Sequence, residues 1–355
     1  MKYIHRDIEK TVNKFIKQFP AVAVTGPRQS GKSTLLKHLF AGKGDYITFD
    51  DLLIREKVKS DPKNFLLNIK QPVIFDEIQY VPELLSYLKI MIDDNRAKKG
   101  RFILTGSQKF NLIKNLGDSL AGRIGLLNLL PFSKNEKKEV FNGLKKKKTS
   151  IIDYFIDACL RGSYPEISLD NTFDFDSWYG SYLQTYLERD VRSIYEIGSL
   201  HNFGRFVQIL ASRCGQILDL SSLSNDIGVA VNTIKKWISI LEASNIIYLL
   251  SPYYRNMGKR IIKSSKIYFL DCGLVCYLTG IRDKKVLLQG PMFGQLFENY
   301  VIQEMVKTLF NNGKKVDIYY LRTSNQLEID LIIEKNTQVL PVEIKATKTL
   351  NLSMA

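Results

Sequence analysis

Gly26-Pro27-Arg28-Gln29-Ser30-Gly31-Lys32-Ser33 fits G-x-x-x-x-G-K-[ST] at every fixed position. Its neighbours suit it. The apolar run 21–25 before it reads as a strand, and the stretch from Lys32 through Leu35, Leu36 and Leu39 reads as an amphipathic helix. Strand, glycine loop and helix together have a mechanism. Glycines let the backbone curl so that its N–H groups face a β-phosphate, and the helix N-terminus adds positive potential. Lys32 is then placed on the β- and γ-phosphates and the Ser33 hydroxyl on Mg²⁺. Gly26, Pro27, Arg28, Gln29, Ser30, Gly31, Lys32, Ser33 and Thr34 form the expected cradle for ATP or GTP.

Further apolar runs surround this loop: Tyr46–Phe49, Val73–Phe75 and Phe102–Leu104. Each is short and continuous, as strands buried on both faces of a parallel sheet are. Helical stretches between them act as crossovers, which predicts a doubly wound α/β domain over 1–135. Pro82 opens one such helix, with Leu84, Leu85, Leu88 and Met91 or Ile92 on one face. The run at 73–75 ends in Asp76-Glu77. Asp76 is expected to hold Mg²⁺ through water, and Glu77 to orient and deprotonate the attacking water. The run at 102–104 ends in Thr105-Gly106-Ser107, where Ser107 or Thr105 is the candidate γ-phosphate sensor. Arg123 is a candidate arginine finger, acting within its own subunit or on a neighbour in a homo-oligomer. A surface salt bridge is its plain alternative.

The chain has 355 residues, enough for two or three domains at roughly 150 residues each. Hydrophobic residues at 45% and charged residues at 25% exclude a disordered, collagen-like or fibrous protein. No stretch approaches the ~20 apolar residues of a membrane-spanning helix. The charged start, Met1-Lys2-Tyr3-Ile4-His5-Arg6-Asp7, does not read as a secretory signal. Four scattered cysteines form neither a disulfide scaffold nor a zinc site, and read as buried thiols in a reducing cytoplasm. A net charge of +15 favours an anionic partner, above all nucleic acid, with Lys-, Ile- and Asn-rich genome usage as the bland alternative.

Lys134 to Lys148 holds seven lysines and two glutamates and reads as a solvated connection or an exposed helix end, with a domain boundary nearby. Residues 150–215 look helical. Leu220–Gly228 reads as a short helix, 229–232 as a turn, and Thr233–Ala243 as a second helix burying Ile234, Trp237, Ile238 and Leu241. Strands at 246–250 and 267–270 flank a loop. This is a winged-helix pattern within a domain at 150–285. Lys235, Lys236 and Ser239 face outward, and the basic segment 253–266 carries Arg255, Lys259, Arg260, Lys263 and Lys266. Those cations suit DNA phosphates. A winged helix that packs on other domains is the alternative.

The last part, 286–355, reads as a small α+β domain. Leu327–Ile333 alternates polar and apolar residues, and Val339–Lys345 follows after a turn. Residues two apart share a strand face. Glu328 and Asp330 therefore face one way, as do Glu343 and Lys345. The set resembles the D…E-x-K core of PD-(D/E)xK nucleases, with Glu298 on the preceding helix as a further ligand. In an active site of that kind Asp330, Glu343 and Glu298 hold Mg²⁺, and Lys345 positions or deprotonates water. An inactive nuclease fold, or solvent-facing charges on an edge hairpin, are the alternatives.

Several of these stretches also occur together in a known family. Gly26-Pro27-Arg28-Gln29, Phe75-Asp76-Glu77-Ile78-Gln79, Leu104-Thr105-Gly106-Ser107 and Ser119-Leu120-Ala121-Gly122-Arg123 resemble the AAA-type ATPase of prokaryotic ATP-binding proteins. That family adds a C-terminal domain of unknown function. Its hallmarks are similar to Gly162-Ser163-Tyr164-Pro165-Glu166, Tyr186-Leu187-Glu188-Arg189-Asp190-Val191, Asp271-Cys272-Gly273-Leu274 and Phe297-Glu298-Asn299. The resemblance spans nearly the whole chain and implies ATP rather than GTP. Members continue past the last strand here, so the ending at Leu352–Ala355 implies a truncation. The leading expectation is a Mg²⁺-dependent ATPase whose nucleotide state repositions a DNA-facing C-terminal half. The alternatives are an ATP-switched binding module with negligible turnover and an ATP-gated, metal-dependent nuclease.

Overall fold

Short apolar runs alternating with amphipathic helices build the first half of the chain. The structure is a computed structural model describing residues 3–106, 120–144, 150–170, 172–186, 200–254, 264–323, 328–335 and 338–346. The chain divides into two compact units. One is Met1–Val140 with Ala243–Asn245 and Lys307–Lys314; the other holds Phe141–Glu242, Ile246–Val306 and Lys315–Ala355.

The first unit runs α1 (Glu9–Gln18), β1 (Ala21–Thr25), α2 (Lys32–Leu39), β2 (Asp45–Thr48), α3 (Leu52–Ser60), α4 (Pro62–Leu67) and β3 (Val73–Asp76). It continues through a single 3₁₀ turn at Ile78–Tyr80, α5 (Leu84–Asp94), β4 (Phe102–Gly106), β5 (Ile124–Asn128) and α6 (Lys134–Leu144). The strands are all parallel, in the order β2-β3-β4-β1-β5. The doubly wound sheet expected from the sequence is therefore present. Strands β1, β3 and β4 are buried along their whole length, which is why their sequences are unbroken apolar runs. One sheet face packs Ala21, Ala23, Phe75 and Leu104 against α5 residues Leu84, Leu85, Leu88 and Ile92. The other packs Val22, Val24, Ile74 and Ile103 against Leu35 and Leu36 of α2. Strand β4 lies between β1 and β3, so the glycine loop and the Asp76 strand end open onto the same C-terminal edge of the sheet. Open α/β sheets bind ligands along that edge.

Two details differ from the sequence reading. Strand β5 was not among the expected runs. It is an edge strand whose burial alternates, with Leu126 45% exposed, so it lacks the continuous apolar signature. The lysine-rich stretch opens as α6, and its first turn is not fully solvated: Glu136 and Lys137 are buried, whereas Asn135 is exposed.

The second unit begins with helices α7 (Ile151–Leu160), α8 (Pro165–Leu169), α9 (Phe175–Tyr186) and α10 (Leu200–Ser212). Ser150 and Asp153 start α7 with a reciprocal capping box. Next come α11 (Leu220–Ile227) and α12 (Val231–Ala243). Asp219 caps α11, and Gly228, at φ 78°, ends it. Helix α12 starts two residues earlier than the sequence suggests and buries Ile234, Trp237, Ile238, Ile240 and Leu241. An antiparallel pair follows, β6 (Ile247–Leu250) and β7 (Lys266–Phe269). Then come α13 (Cys272–Thr279), α14 (Lys284–Gln289) and α15 (Phe293–Asn311). A small antiparallel sheet closes the unit: β8 (Ile318–Arg322), β9 (Glu328–Lys335) and β10 (Gln338–Val342), in the order β10-β9-β8.

Asp271 ties this unit together. Its Oδ1 accepts hydrogen bonds from the Tyr179 hydroxyl (2.5 Å) and the Leu274 amide (2.9 Å), and its Oδ2 from the Ser163 amide (2.8 Å). A Cβ on Gly273 would stand 2.5 Å from the Gly162 Cα, so the two glycine turns meet only because both lack side chains. All four cysteines are free and buried. Among the described residues no helix is long and apolar enough to cross a membrane.

Candidate functional site

The glycine loop leaves β1 at Thr25 and enters α2 at Lys32. Gly26 sits at φ 150°, and a Cβ there would stand 2.1 Å from the Leu129 carbonyl oxygen. Only glycine fits. Gln29 and Gly31 also have positive φ, 58° and 91°, and these turns curl the loop. Gly26, Pro27 and Ser30 are buried, Arg28 is half-buried, and Gln29 and Thr34 are exposed. Lys32 is buried in the first turn of α2. Its ammonium donates to the carbonyls of Gly26 (3.1 Å) and Pro27 (2.8 Å).

Across the crevice, the Ser33 hydroxyl donates to Asp76 Oδ2 at 2.8 Å. The Tyr46 hydroxyl donates to the same oxygen. Burial and the bond to Asp76 hold the Tyr46 phenol above its ordinary range. Asp76 is 5% exposed, and its Oδ1 is buried without a hydrogen-bond partner among the described residues. Ser30 Oγ and Thr105 Oγ1 share that condition. Buried polar atoms are normally paired, and each exception calls for an explanation. Ser30 lies in the glycine loop, Asp76 at the end of β3 and Thr105 near the end of β4. A hydroxyl and a carboxylate with an open oxygen form a hard-oxygen set that fits Mg²⁺. Glu77 follows in the left-handed region at φ 56°, a strained conformation for a non-glycine residue. Its carboxylate accepts from Gln79 Nε2. Ser107 lies outside the described residues.

Two residues that sequence reasoning missed hold the loop from behind. Arg6 is buried, and its guanidinium donates to Glu136 Oε1 (3.0 Å), the Ser30 carbonyl (2.8 Å) and the Leu130 carbonyl (2.7 Å). Glu136 also accepts from the amides of Asp7 (2.8 Å) and Ser133 (2.7 Å). C=O and N–H point opposite ways across a trans peptide. With the Ser30 carbonyl drawn out to Arg6, the Gly31 N–H is turned the other way. The faint sequence signal was an acid inside a lysine run.

Arg123 lies elsewhere. It precedes β5, and its carbonyl accepts from the Ala21 amide (3.4 Å) at the start of β1. The phosphate loop follows the other end of β1, about 13 Å away at ~3.3 Å per residue. Its side chain forms two bonds to Asp93, Nε to Oδ1 at 2.7 Å and the terminal nitrogen to Oδ2 at 2.9 Å. The Asp93 bond raises the Arg123 pKa, and in return the Asp93 carboxyl is lowered. Arg123 thus pairs with Asp93, at the end of β1 opposite the glycine loop.

In the second unit, Glu298, Glu328 and Asp330 converge on one buried cation, and that cation is Lys266. Its ammonium lies 3.2 Å from Glu298 Oε1, 2.5 Å from Glu328 Oε1 and 4.0 Å from Asp330 Oδ1. This corrects the placement of Lys266 among outward-facing phosphate contacts: it is 3% exposed. Tyr268 donates to Glu298 Oε1 at 2.5 Å, and the Ile344 amide to Asp330 Oδ2 at 2.9 Å. Burial raises the Glu298 carboxyl above its usual range despite Lys266, and burial also raises Asp330. Burial pulls the Lys266 ammonium down, but Glu298 and Glu328 outweigh it and leave it raised. Glu343 and Lys345 pair with each other at 2.5 Å just past β10. Among the described residues no three His, Cys, Asp or Glu side chains stand as a metal-binding group.

On α12, Lys235, Lys236 and Ser239 are exposed. Arg255, Lys259, Arg260 and Lys263 lie outside the described residues.

Known proteins match this chain in three consecutive stretches. Residues 18–137 match the family described as AAA domain. Residues 152–285 and 293–355 match two domains of unknown function, DUF8612 and DUF4143. An uncharacterised protein of Mycobacterium tuberculosis is 29% identical over 350 residues, which are 98% of this chain and 75% of that one. An uncharacterised protein of Methanocaldococcus jannaschii is 23% identical over 338 residues, with 83% and 70% covered. Among solved structures, the Walker-type ATPase of Pyrococcus abyssi superposes with a TM-score of 0.51 at 15% identity, covering 78% of this chain and 96% of that one.

Proposed function

We infer function from this premise: the chain is a prokaryotic AAA-type ATPase-domain protein with a C-terminal DUF4143 domain. Its P-loop fold supports ATP binding. Beyond that, our reading is a Mg²⁺-dependent ATPase that forms ADP and phosphate and couples nucleotide state to a DNA-facing C-terminal half. One observation carries it: Ser33, next to Lys32 in α2, bonds to Asp76, whose Oδ1 is buried with no partner among the described residues. Lys32 grips the β- and γ-phosphates, and the loop amides cradle the β-phosphate. Ser33 and Asp76 hold the metal, which supplies charge neutralisation at the phosphate oxygens when bound. Glu77 orients the attacking water and takes its proton. Ser107 or Thr105 senses the γ-phosphate. Arg123 serves a neighbouring subunit of a homo-oligomer. The four buried free thiols suit a cytoplasmic setting.

For the DNA-facing half, the support is the exposed Lys235, Lys236 and Ser239 on the second helix of a winged-helix pattern, the basic residues Arg255, Lys259, Arg260 and Lys263 of the sequence, and the net charge of +15. Retention on immobilised DNA is then expected to weaken steeply with salt and to drop in a Lys235→Glu, Lys236→Glu variant. Retention indifferent to salt speaks for a protein partner.

Titration calorimetry with ATP and Mg²⁺ tests binding; no heat of uptake refutes the proposal. Single-turnover hydrolysis then separates an ATPase from an ATP switch. Glu77→Gln is expected to keep binding and to lower the chemical step about 10²–10⁴-fold. Metal-dependent nuclease action needs Glu298, Asp330 and Glu343 to admit a metal where Lys266 now sits, so the ammonium weighs against it. Metal-dependent nicking of DNA that is lost in Asp330→Ala would revive that reading.

A further inference from the structure

Tyr46 reads in the sequence as one member of an apolar run, but its hydroxyl belongs to the metal half of the nucleotide site. Strand β2 lies parallel to β3, with Tyr46 opposite Ile74 and Thr48 opposite Asp76. Residues two apart share a face. Tyr46, Ile74 and Asp76 therefore lie on the side of the sheet that packs α2, where Tyr46 and Ile74 share a cluster with Leu35 and Leu36. From there the ring reaches toward the strand end, and its hydroxyl donates to Asp76 Oδ2. The Lys37 ammonium lies over the ring, 4.2 Å from its centroid, and holds it against the sheet.

A carboxylate turns easily about its last torsion, where the energy wells are broad. Bonded to Ser33 alone, Asp76 can exchange its two oxygens. A second hydroxyl from another element, on the same oxygen, removes that freedom. Oδ2 is fixed from α2 and β2 together, and Oδ1 is left buried with no partner among the described residues. We propose that Tyr46 is a positioning residue for the divalent cation of the nucleotide site, holding Asp76 so that Oδ1 is the oxygen offered to the metal. This rests on the nucleotide reading above. Groups that orient a metal's ligands usually change metal affinity about 10–100-fold when lost.

Tyr46→Phe keeps the ring, its packing and the Lys37 contact, and deletes only the hydroxyl. The readout is binding of a fluorescent ATP analogue, first in EDTA and then with increasing Mg²⁺. Wild type that binds no analogue under either condition refutes the nucleotide reading itself, not the role of Tyr46. Given binding, Tyr46→Phe is expected to match wild type in EDTA and in melting midpoint. It is expected to need about 10-fold more Mg²⁺ for half of the metal-dependent gain. Asp76→Asn should lose that gain altogether. Superposed Mg²⁺ curves overturn the proposal. So does a variant needing less Mg²⁺, because Tyr46 would then compete with the metal. Equal weakening with and without Mg²⁺ overturns it too, since that is a general structural effect. A wild type whose binding ignores Mg²⁺ does the same.

Discussion

Two carboxylate-bearing polar clusters among the described residues differ in one respect. At the glycine loop, Asp76 spends one oxygen on two hydroxyls and keeps the other buried without a partner among the described residues, as the Ser30 and Thr105 hydroxyls also are. In the second unit, Glu298, Glu328 and Asp330 surround a cation that the chain itself supplies, Lys266. Among the described residues the first cluster keeps a buried oxygen with no partner, and the second has its cation supplied from within. Acidic residues gathered on a line of sequence look alike in both. What separates a binding site from an internal ion-pair hub is which buried groups remain unsatisfied, because an unpaired buried polar atom is costly and a ligand relieves it.

The largest effect that would sharpen this contrast is on stability. Lys266→Met leaves buried carboxylates without their cation and is expected to destabilise the protein by roughly 3 kcal/mol or more, read by chemical denaturation. A variant as stable as wild type would show that the hub is not self-contained. Next in size is Lys32→Ala, expected to weaken ATP binding about 100-fold, the loss of a charge-assisted phosphate contact, and to cost less stability than Lys266→Met, since the Gly26 and Pro27 carbonyls that lose a donor are neutral. The two lysines thus separate: one supports the fold, the other the ligand.

A smaller effect concerns pH. Glu298 and Asp330 hold their protons more tightly folded than unfolded. Their contribution to stability is therefore complete below the ordinary carboxylate range and is lost as pH rises through their raised values. Removing Lys266 lifts those values further. The Lys266→Met penalty should accordingly shrink between pH 8 and pH 5, and a penalty that stays constant or grows on acidification contradicts the hub. Smallest of all is Arg123→Ala. It breaks an exposed pair with Asp93 and should leave ATP affinity of isolated subunits untouched; a marked loss there would return Arg123 to its own site.

Much of the first unit was legible from residue order. Strands buried on both faces announce themselves as Ala21–Val24, Val73–Phe75 and Phe102–Leu104, and the glycine loop carries its backbone demands in its spelling. Strand β5 escaped because one face is open and its pattern alternates. Arg6 and Glu136 escaped because 130 residues separate them, and nothing local marks an arginine that will be buried. Lys266 was misread for a related reason. It closes a basic stretch, and adjacency in sequence hides that β7 turns it inward. Tyr46 was counted for its ring, since a hydroxyl's partner on the next strand is set by register, which residue order does not state.

The grip of Arg6 on Ser30 also has a consequence for how the protein is made. Synthesis proceeds from the amino end, so Arg6 and the glycine loop leave the ribosome long before Leu130 and Glu136, their anchors on the far side. A nascent chain halted between those points carries the whole loop sequence with its brace unfastened. The bonds of Arg6 are completed only once Glu136 of α6 has emerged, and any fragment cut before that helix loses part of the fastening while leaving the motif intact.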